Sequence, residues 1–231
     1  MGVKQMAKSN EQKQLDVNYT FSLAQISHEI RNPLTLINST IQLLAHKHPD
    51  LASDDLWIQL EKDIDYLKDL TASLSRYNSE SAPSFMSIDI SVLLSELLEP
   101  YRTVLKASRK TLTLHLQEDL PPVICDSIKI KQCLINLIKN SIEATSEGDF
   151  IEVTVKSRLN RMIITVSDSG HGISKERLET IFDPFTSYKE GGSGLGLSIV
   201  KRIISAHRGI IRVYSKINLG TKFIIILPLE Q

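Results

Sequence analysis

The chain has 231 residues, 42% of them apolar, and its 27 Lys and Arg are matched by 27 Asp and Glu. That length suits one large domain or two small ones, and that apolar content builds a core, which excludes wholesale disorder. Zero net charge argues against a nucleic-acid binder, no apolar run reaches the ~18 residues of a membrane span, and the two cysteines, Cys125 and Cys133, make no disulfide framework.

The polar start MGVKQMAKSNEQKQ has no apolar signal region, so the expectation is a soluble, cytoplasmic chain. Leu23, Ile26, Ile30, Leu34, Ile37, Ile41 and Leu44 then recur at spacings of three and four, one apolar stripe of a helix. His46 to Asp50 break the pattern, and Ser53-Asp54-Asp55 offer N-cap residues. A second stripe follows in Trp57, Leu60, Ile64, Leu67, Leu70 and Leu74. Two such helices predict an antiparallel hairpin, and because one hairpin cannot enclose both stripes, a four-helix bundle of two copies is expected. A coiled-coil spacer fits the periodicity equally well.

Asn78 to Ser84 read as a linker. Beyond it a helix is predicted over Val92–Ala107, a strand over Thr111–Leu116, and a strong helix over Ile128–Thr145 capped by Asp126 or Ser127. Ile151–Val155 and Met162–Val166 are β-branched runs joined by a turn at Ser157–Arg161. A helix from Leu195 to His207 and strands Ile210–Ser215 and Lys222–Leu227 close the chain. Locally paired strands with helices on one side predict an α+β sandwich, so the whole reads as multi-domain, α followed by α+β.

Chemistry-bearing residues cluster at four places. Glycines gather in Asp168-Ser-Gly170-His-Gly172 and in Gly191-Gly192-Ser193-Gly194-Leu195-Gly196, the second just before a helix. Glycine lets backbone amides approach an anion, and a helix start presents free N–H groups to one, so a phosphate fits there. The stretch lacks the Lys-[Ser/Thr] ending of a P-loop and does not follow a strand, so the dinucleotide fingerprint fails too. Asn136 and Asn140 share a helix face and offer hard oxygens to a cation such as Mg²⁺, or simply hydrogen-bond at a helix contact. Asp168 at a strand end can accept from an exocyclic amine or cap its own turn. In the first stripe, Ser27-His28-Glu29-Ile-Arg-Asn32-Pro33-Leu34 sets polar groups in mid-helix, with a proline that should kink it. A neutral imidazole at His28 can act as a nucleophile, Glu29 can take the proton of its other nitrogen, and Asn32 shares its face.

In this order the blocks resemble the two-component sensor histidine kinases, from about Leu15 to Leu229. His28-Glu-Ile-Arg-Asn-Pro-Leu resembles the phosphoacceptor box, Asn136-Leu-Ile-Lys-Asn140 the N-box, and Asp168-Ser-Gly-His-Gly172 the first glycine box. Phe182-Asp-Pro-Phe185 resembles the F-box, Gly192-Ser-Gly-Leu-Gly196 the second glycine box, and Gly220-Thr-Lys-Phe223 the closing strand. The N-box is similar to that of nitrogen-regulation and sporulation kinases. Three positions depart from the pattern: Glu143 where the larger class has Lys, Arg208 where Gly is usual, and His171 inside the glycine box.

The resemblance implies a polar segment 1–14, a dimerising phosphoacceptor hairpin at 15–80, a linker at 81–87 and a Bergerat-type (GHKL) ATP-binding α/β sandwich at 88–231. It implies ATP and Mg²⁺ as cofactors, His28 as acceptor, Glu29 as general base, and Asn32 acting in regulator dephosphorylation in those members that have that activity. Asn140 with Asn136 would hold Mg²⁺. Asp168 would take the adenine amine in a pocket shaped by Gly170 and Gly172, with Ile173 and Thr221 also among the cofactor-binding residues. Phe182 to Ser193, with Phe185 and Gly192, would form a lid, the amides of Gly194, Leu195 and Gly196 would meet phosphates, and Lys139 or Lys189 would add positive charge. The implied partners are a second copy of the chain and the receiver domain of a response regulator. Either input comes through a separate sensor or regulator protein or the chain is a fragment lacking its sensor, and neither nucleic acid nor a membrane span is expected.

Overall fold

A computed structural model describes residues 29–78, 82–189 and 192–230. Its contacts divide the chain into two compact units, one of Met1–Glu80 with Lys189–Leu195 and one of Ser81–Tyr188 with Gly196–Gln231.

In the first unit, helix α1 covers 29–47 and runs through Pro33. A short 3₁₀ turn, Pro49–Ser53, fills the polar break, and α2 spans Asp55–Asn78. Asp54 starts α2, its carboxylate accepting from the N–H groups of Leu56 and Trp57 at 2.9 and 3.1 Å. Leu34, Ile41, Trp57 and Ile64 close the interior. The rest of both stripes stays partly open: Ile37 is 49% exposed and Leu44 40% on α1, Leu60 41% and Leu67 42% on α2. One hairpin thus buries only part of its apolar surface.

The second unit carries β1 (Met86–Ile88), α3 (Ile90–Ala107), β2 (Thr111–Leu116), β3 (Val123–Cys125), α4 (Ser127–Ala144), β4 (Phe150–Arg158), β5 (Arg161–Asp168), α5 (Lys175–Leu178), α6 (Gly196–Ala206), β6 (Ile210–Lys216) and β7 (Gly220–Pro228). Five strands form one sheet in the order β2-β4-β5-β7-β6. Contrary to the expectation of purely local pairing, β2 lies parallel to β4, so the chain crosses over through β3 and α4 between them. The remaining pairs are antiparallel. Leu159 and Asn160, at φ 52° and 57°, make the two-residue turn of the β4–β5 hairpin.

α4 lies on β4, β5 and β7, with α6 against α4 and β6. Leu134, Leu137 and Ile138 of α4 and Val200 and Ile204 of α6 are buried, as are Val153, Val155, Ile164, Val166, Phe223 and Ile225 of the sheet. The alternation of buried and less buried residues along β4, β5 and β7 is the period-2 pattern of a sheet covered on one face.

Two three-residue strands, β1 and β3, were too short to stand out in the sequence; they pair antiparallel, Met86 opposite Cys125. Residues 86–87, expected in the linker, are therefore strand, and the N–H of Ser84 donates to Asp126 Oδ2 at 3.0 Å. Asp126 rather than Ser127 caps α4, accepting from Ile128 and Lys129 at 3.0 Å each. The stop of α6 also differs from expectation. Arg208 itself takes the left-handed turn at φ 50°, while Gly209 is small because a Cβ there would lie 2.7 Å from Ile226 O. Among the described residues no helix is long and apolar enough to cross a membrane.

Candidate functional site

The site grows from the C-terminal end of β5. Asp168 is the last residue of that strand, opposite Thr221 on β7, and is 6% exposed. Its Oδ1 accepts from the N–H of Gly170 at 3.1 Å and of Thr221 at 3.2 Å, and its Oδ2 from the Ser141 hydroxyl at 3.0 Å. Of the two readings of Asp168, the cap of its own turn is the one seen, through the Gly170 N–H. Three of roughly four acceptor positions on a carboxylate are taken, leaving one for a donor from outside. Burial pushes the Asp168 carboxyl above its ordinary value, opposed by Ser141, by the two N–H groups and by the nearby His171.

The glycines after Asp168 hold the turn rather than lining open space. A Cβ on Gly170 would lie 2.1 Å from Ala144 O, and one on Gly172, at φ 70°, would lie 2.1 Å from Lys216 O. Between them, His171 N–H donates to Ala144 O at 3.0 Å and its carbonyl accepts from Asn218 N–H at 2.9 Å. Ile173 N–H donates to Ser215 Oγ at 2.8 Å. Ser169 donates to Asp149 at 2.7 Å and accepts from Phe150 N–H at 3.0 Å. The loop is pinned at almost every residue.

α4 brings the amide side chains to the same unit. Asn136 Nδ2 donates to Gly196 O at 3.4 Å, setting its amide beside the N-terminus of α6. Gly196 has space around it, the nearest atoms to a Cβ being those of Asn136 at 3.9 Å. Asn140, one turn further, is half-buried and Lys139 is exposed. The C-terminus of α4 is held by Lys110, whose Nζ donates to Ile142 O at 2.9 Å and Thr145 O at 2.7 Å.

The donor set fits a nucleotide with its metal. A buried carboxylate with one acceptor position left suits an exocyclic amine, an 11-residue helix opening at Gly196 suits a phosphate, and the two amide oxygens suit a hard cation that keeps water and phosphate ligands. Among the described residues no three His, Cys, Asp or Glu side chains gather as a metal cluster.

The other expected residues fall elsewhere. Phe182 is half-buried, with Lys201 Nζ 5.9 Å from its ring centroid, and Phe185 sits at φ 61°, 55% exposed. Lys189 and Gly192 to Leu195 group with the first unit; there Gly192 N–H donates to Lys189 O at 3.2 Å and Gly194 has φ 66°. Leu195 N–H donates to Ser193 Oγ at 3.4 Å. Glu29 and Asn32 are exposed on α1, and His28 lies outside the described residues. Ser141, Ser215 and Lys110 were not read from the sequence. Ser141 carried one signal, a hydroxyl four residues after the core residue Leu137.

Residues 125–231 match the family described as histidine kinase-, DNA gyrase B-, and HSP90-like ATPase. The chain is similar to the signal transduction histidine-protein kinase AtoS of Escherichia coli K12, 31% identical over 209 residues that cover 90% of this chain and 34% of AtoS. Sporulation kinase E of Bacillus subtilis 168 is 31% identical over 212 residues, 90% of this chain and 28% of that kinase. The chain therefore spans about a third of the length of these relatives. Among solved structures, the catalytic domain of histidine kinase ThkA is 34% identical with a TM-score of 0.59, covering 64% of this chain and 97% of that domain. ThkA in complex with the response regulator protein TrrA matches at 28% identity and a TM-score of 0.67, over 89% of this chain and 60% of that one.

Proposed function

The chain belongs to the two-component sensor histidine kinases, and from that premise we propose that it phosphorylates itself on His28 from ATP and passes the phosphoryl group to an aspartate of a response regulator. The observation that carries this reading is that one helix, α4, reaches both the Asp168 carboxylate, through Ser141, and the opening of α6, through Asn136. In it, Asp168 takes the adenine amine, and the Gly194–Gly196 amides cradle the phosphates with Lys139 or Lys189 neutralising charge. Ile173, Phe182, Phe185, Gly192 and Ser193 border the nucleotide. Asn140 and Asn136 would hold Mg²⁺, which would supply charge neutralisation at the triphosphate.

His28, with Glu29 drawing on its other ring nitrogen, attacks the γ-phosphorus; an N–P bond forms as the bond to the ADP oxygen breaks, and ADP leaves with the electron pair. Phosphoryl transfer asks for charge neutralisation and alignment more than covalent help, which matches a site of amides, dipoles and lysines. The domain limits follow the same reading, 15–80 as acceptor hairpin and 88–231 as ATP module, except that β1 takes residues 86 and 87 out of the expected 81–87 linker and into the module. The partly exposed Ile37, Leu44, Leu60 and Leu67 support a homodimer. The complex of ThkA with its regulator supports a receiver domain as partner, with Asn32 acting in any dephosphorylation of it.

Incubation with γ-labelled ATP and Mg²⁺ tests the reading. An acid-labile, base-stable label on the chain, lost in His28→Gln and in Asn140→Asp, is the expected result. Phosphate release without label marks an ATPase, and neither label nor release marks a non-enzymatic scaffold; both overturn the proposal.

A further inference from the structure

We infer that Ser141 is a positioning residue of the adenine corner, its hydroxyl setting the Asp168 carboxylate in the orientation that meets the exocyclic amine. The inference rests on the ATP reading of this site and adds to it a residue from α4. Three observations support it. Ser141 is 1% exposed, and its Oγ donates to Asp168 Oδ2 at 3.0 Å between two buried side chains. A hydroxyl at a helix position facing a core is costly unless it is hydrogen-bonded, and serine inside a helix commonly folds its hydroxyl back on the preceding turn. Thr145, one turn later, does so, its hydroxyl donating to Ser141 O at 2.8 Å, whereas the Ser141 hydroxyl reaches across to the sheet.

The geometry of the acceptor makes that bond consequential. Oδ1 of Asp168 is held by two backbone N–H groups, from Gly170 and Thr221, so it is fixed by the turn and by β7. Oδ2 has Ser141 alone, and it is therefore the oxygen with capacity for a ligand amine. A carboxylate anchored at one oxygen only can still tilt about that anchor. Ser141 removes this freedom and ties the adenine corner to the helix that carries Asn136 and Asn140, so that base and metal-bearing phosphates are placed by one rigid element.

The groups that set the charge of Asp168 are few: Ser141 from α4, the N–H groups of Gly170 and Thr221, and His171 from the loop after β5. A hydrogen bond to the ionised form favours that form. Its removal has a signature in pH that mere loss of packing lacks.

The test uses the whole chain and ADP with Mg²⁺, with binding followed by calorimetry between pH 5 and 8. Ser141→Ala is expected to bind ADP about tenfold more weakly at pH 7.5, the scale of a hydrogen bond to a charged group. The acid limb of its affinity profile should move toward neutral pH. Ser141→Thr, which keeps the hydroxyl, should restore both affinity and profile, and thermal unfolding confirms that each variant is folded. Unchanged affinity and profile in Ser141→Ala overturn the inference while leaving the ATP reading in place, as does a weakened Ser141→Ala that Thr does not rescue or whose profile does not move. Wild-type chain that binds no ADP overturns both.

Discussion

The backbone N–H of Asp126 donates to Nε2 of His207 at 3.0 Å, joining the start of α4 to the residue just past the end of α6 across 81 positions of chain. His207 is fully buried, and its Nδ1 lies 2.8 Å from Ile203 O in its own helix, so the ring is fixed as the tautomer with its proton on Nδ1. The Phe85 ring meets it edge-on at 5.4 Å, and Ser84 N–H reaches Asp126 Oδ2 at 3.0 Å. The strand that enters the ATP module, the cap of the helix bearing the N-box and the exit of α6 thus share one knot of contacts.

That knot predicts acid sensitivity. Burial holds the His207 ring below its ordinary value, against the opposing pull of Ile203 O and the Asp126 charge. The unfolded chain then takes up the proton more readily than the folded one. The resulting stability is present above the ordinary histidine value of about 6.5 and is lost as pH falls below it. Thermal unfolding of the full chain should show its midpoint falling between pH 7 and pH 5.5. His207→Gln should start lower at pH 7.5 but decline less steeply, and parallel curves for the two proteins would contradict this assignment.

Asp126→Ala removes the cap of α4 and the contact to Ser84 together. Burial raises the Asp126 carboxyl, yet the N–H groups of Lys129, Ser84 and Ile128 pull it lower overall, a sign that these bonds favour the charged side chain. Loss of such a cap costs about 2 kcal/mol, or about 4–8 °C in the unfolding midpoint for a chain of this size. Asp126→Asn, which keeps an acceptor, should recover most of it. Equal loss in both variants would assign the effect to packing instead.

Elements long enough to repeat their period several times were the ones legible in the sequence. α4 showed itself because Ile130, Leu134, Leu137 and Ile138 repeat on one face, and β4 and β5 because their β-branched runs alternate. β1 and β3 did not, since three residues give period two no room to declare itself, and their pairing joins residues some 40 positions apart. The parallel register of β2 with β4 was hidden for the same reason. At the site, residue identities were visible as motifs, but their partners were not. Nothing in the sequence ties Ser141 to Asp168 or Lys110 to the end of α4, because those bonds exist only once helix and sheet have met. Arg208 shows the converse, a position expected to leave the turn to its neighbour that takes the left-handed conformation itself.

Two glycine substitutions should separate structural glycines from those next to open space. Gly170→Ala sets a Cβ 2.1 Å from Ala144 O, a backbone atom that cannot move without shifting the end of α4. It should abolish ADP binding and lower the unfolding midpoint. Gly196→Ala meets nothing nearer than Asn136 at 3.9 Å and lies at the start of a helix, where alanine costs nothing relative to glycine. Its midpoint should be unchanged or raised, so any weakening of ADP binding reports on the phosphate end alone. A destabilised Gly196→Ala would show that this corner is tighter than its geometry indicates.

The hairpin gives the last test. Ile37 and Leu44 lie seven residues apart on α1, and Leu60 and Leu67 lie seven apart on α2, all between 40% and 49% exposed. Spacing of seven keeps each pair on one helix face, and the four together form the apolar surface that a second copy would cover. Taking such a side chain fully out of water is worth about 1.5–3 kcal/mol, of which about half remains to be gained here, and a two-fold interface counts each residue twice. Ile37→Asp with Leu44→Asp should therefore raise the dimer dissociation constant at least ~100-fold. Sedimentation should find wild-type chain as a dimer and the variant as a monomer at micromolar concentration. ADP binding should persist in the variant, because Asp168, Asn136, Asn140 and Gly196 belong to the other unit. A variant that stays dimeric would place the interface elsewhere, whereas a dissociated variant that also loses ADP would mean that the two units fail together.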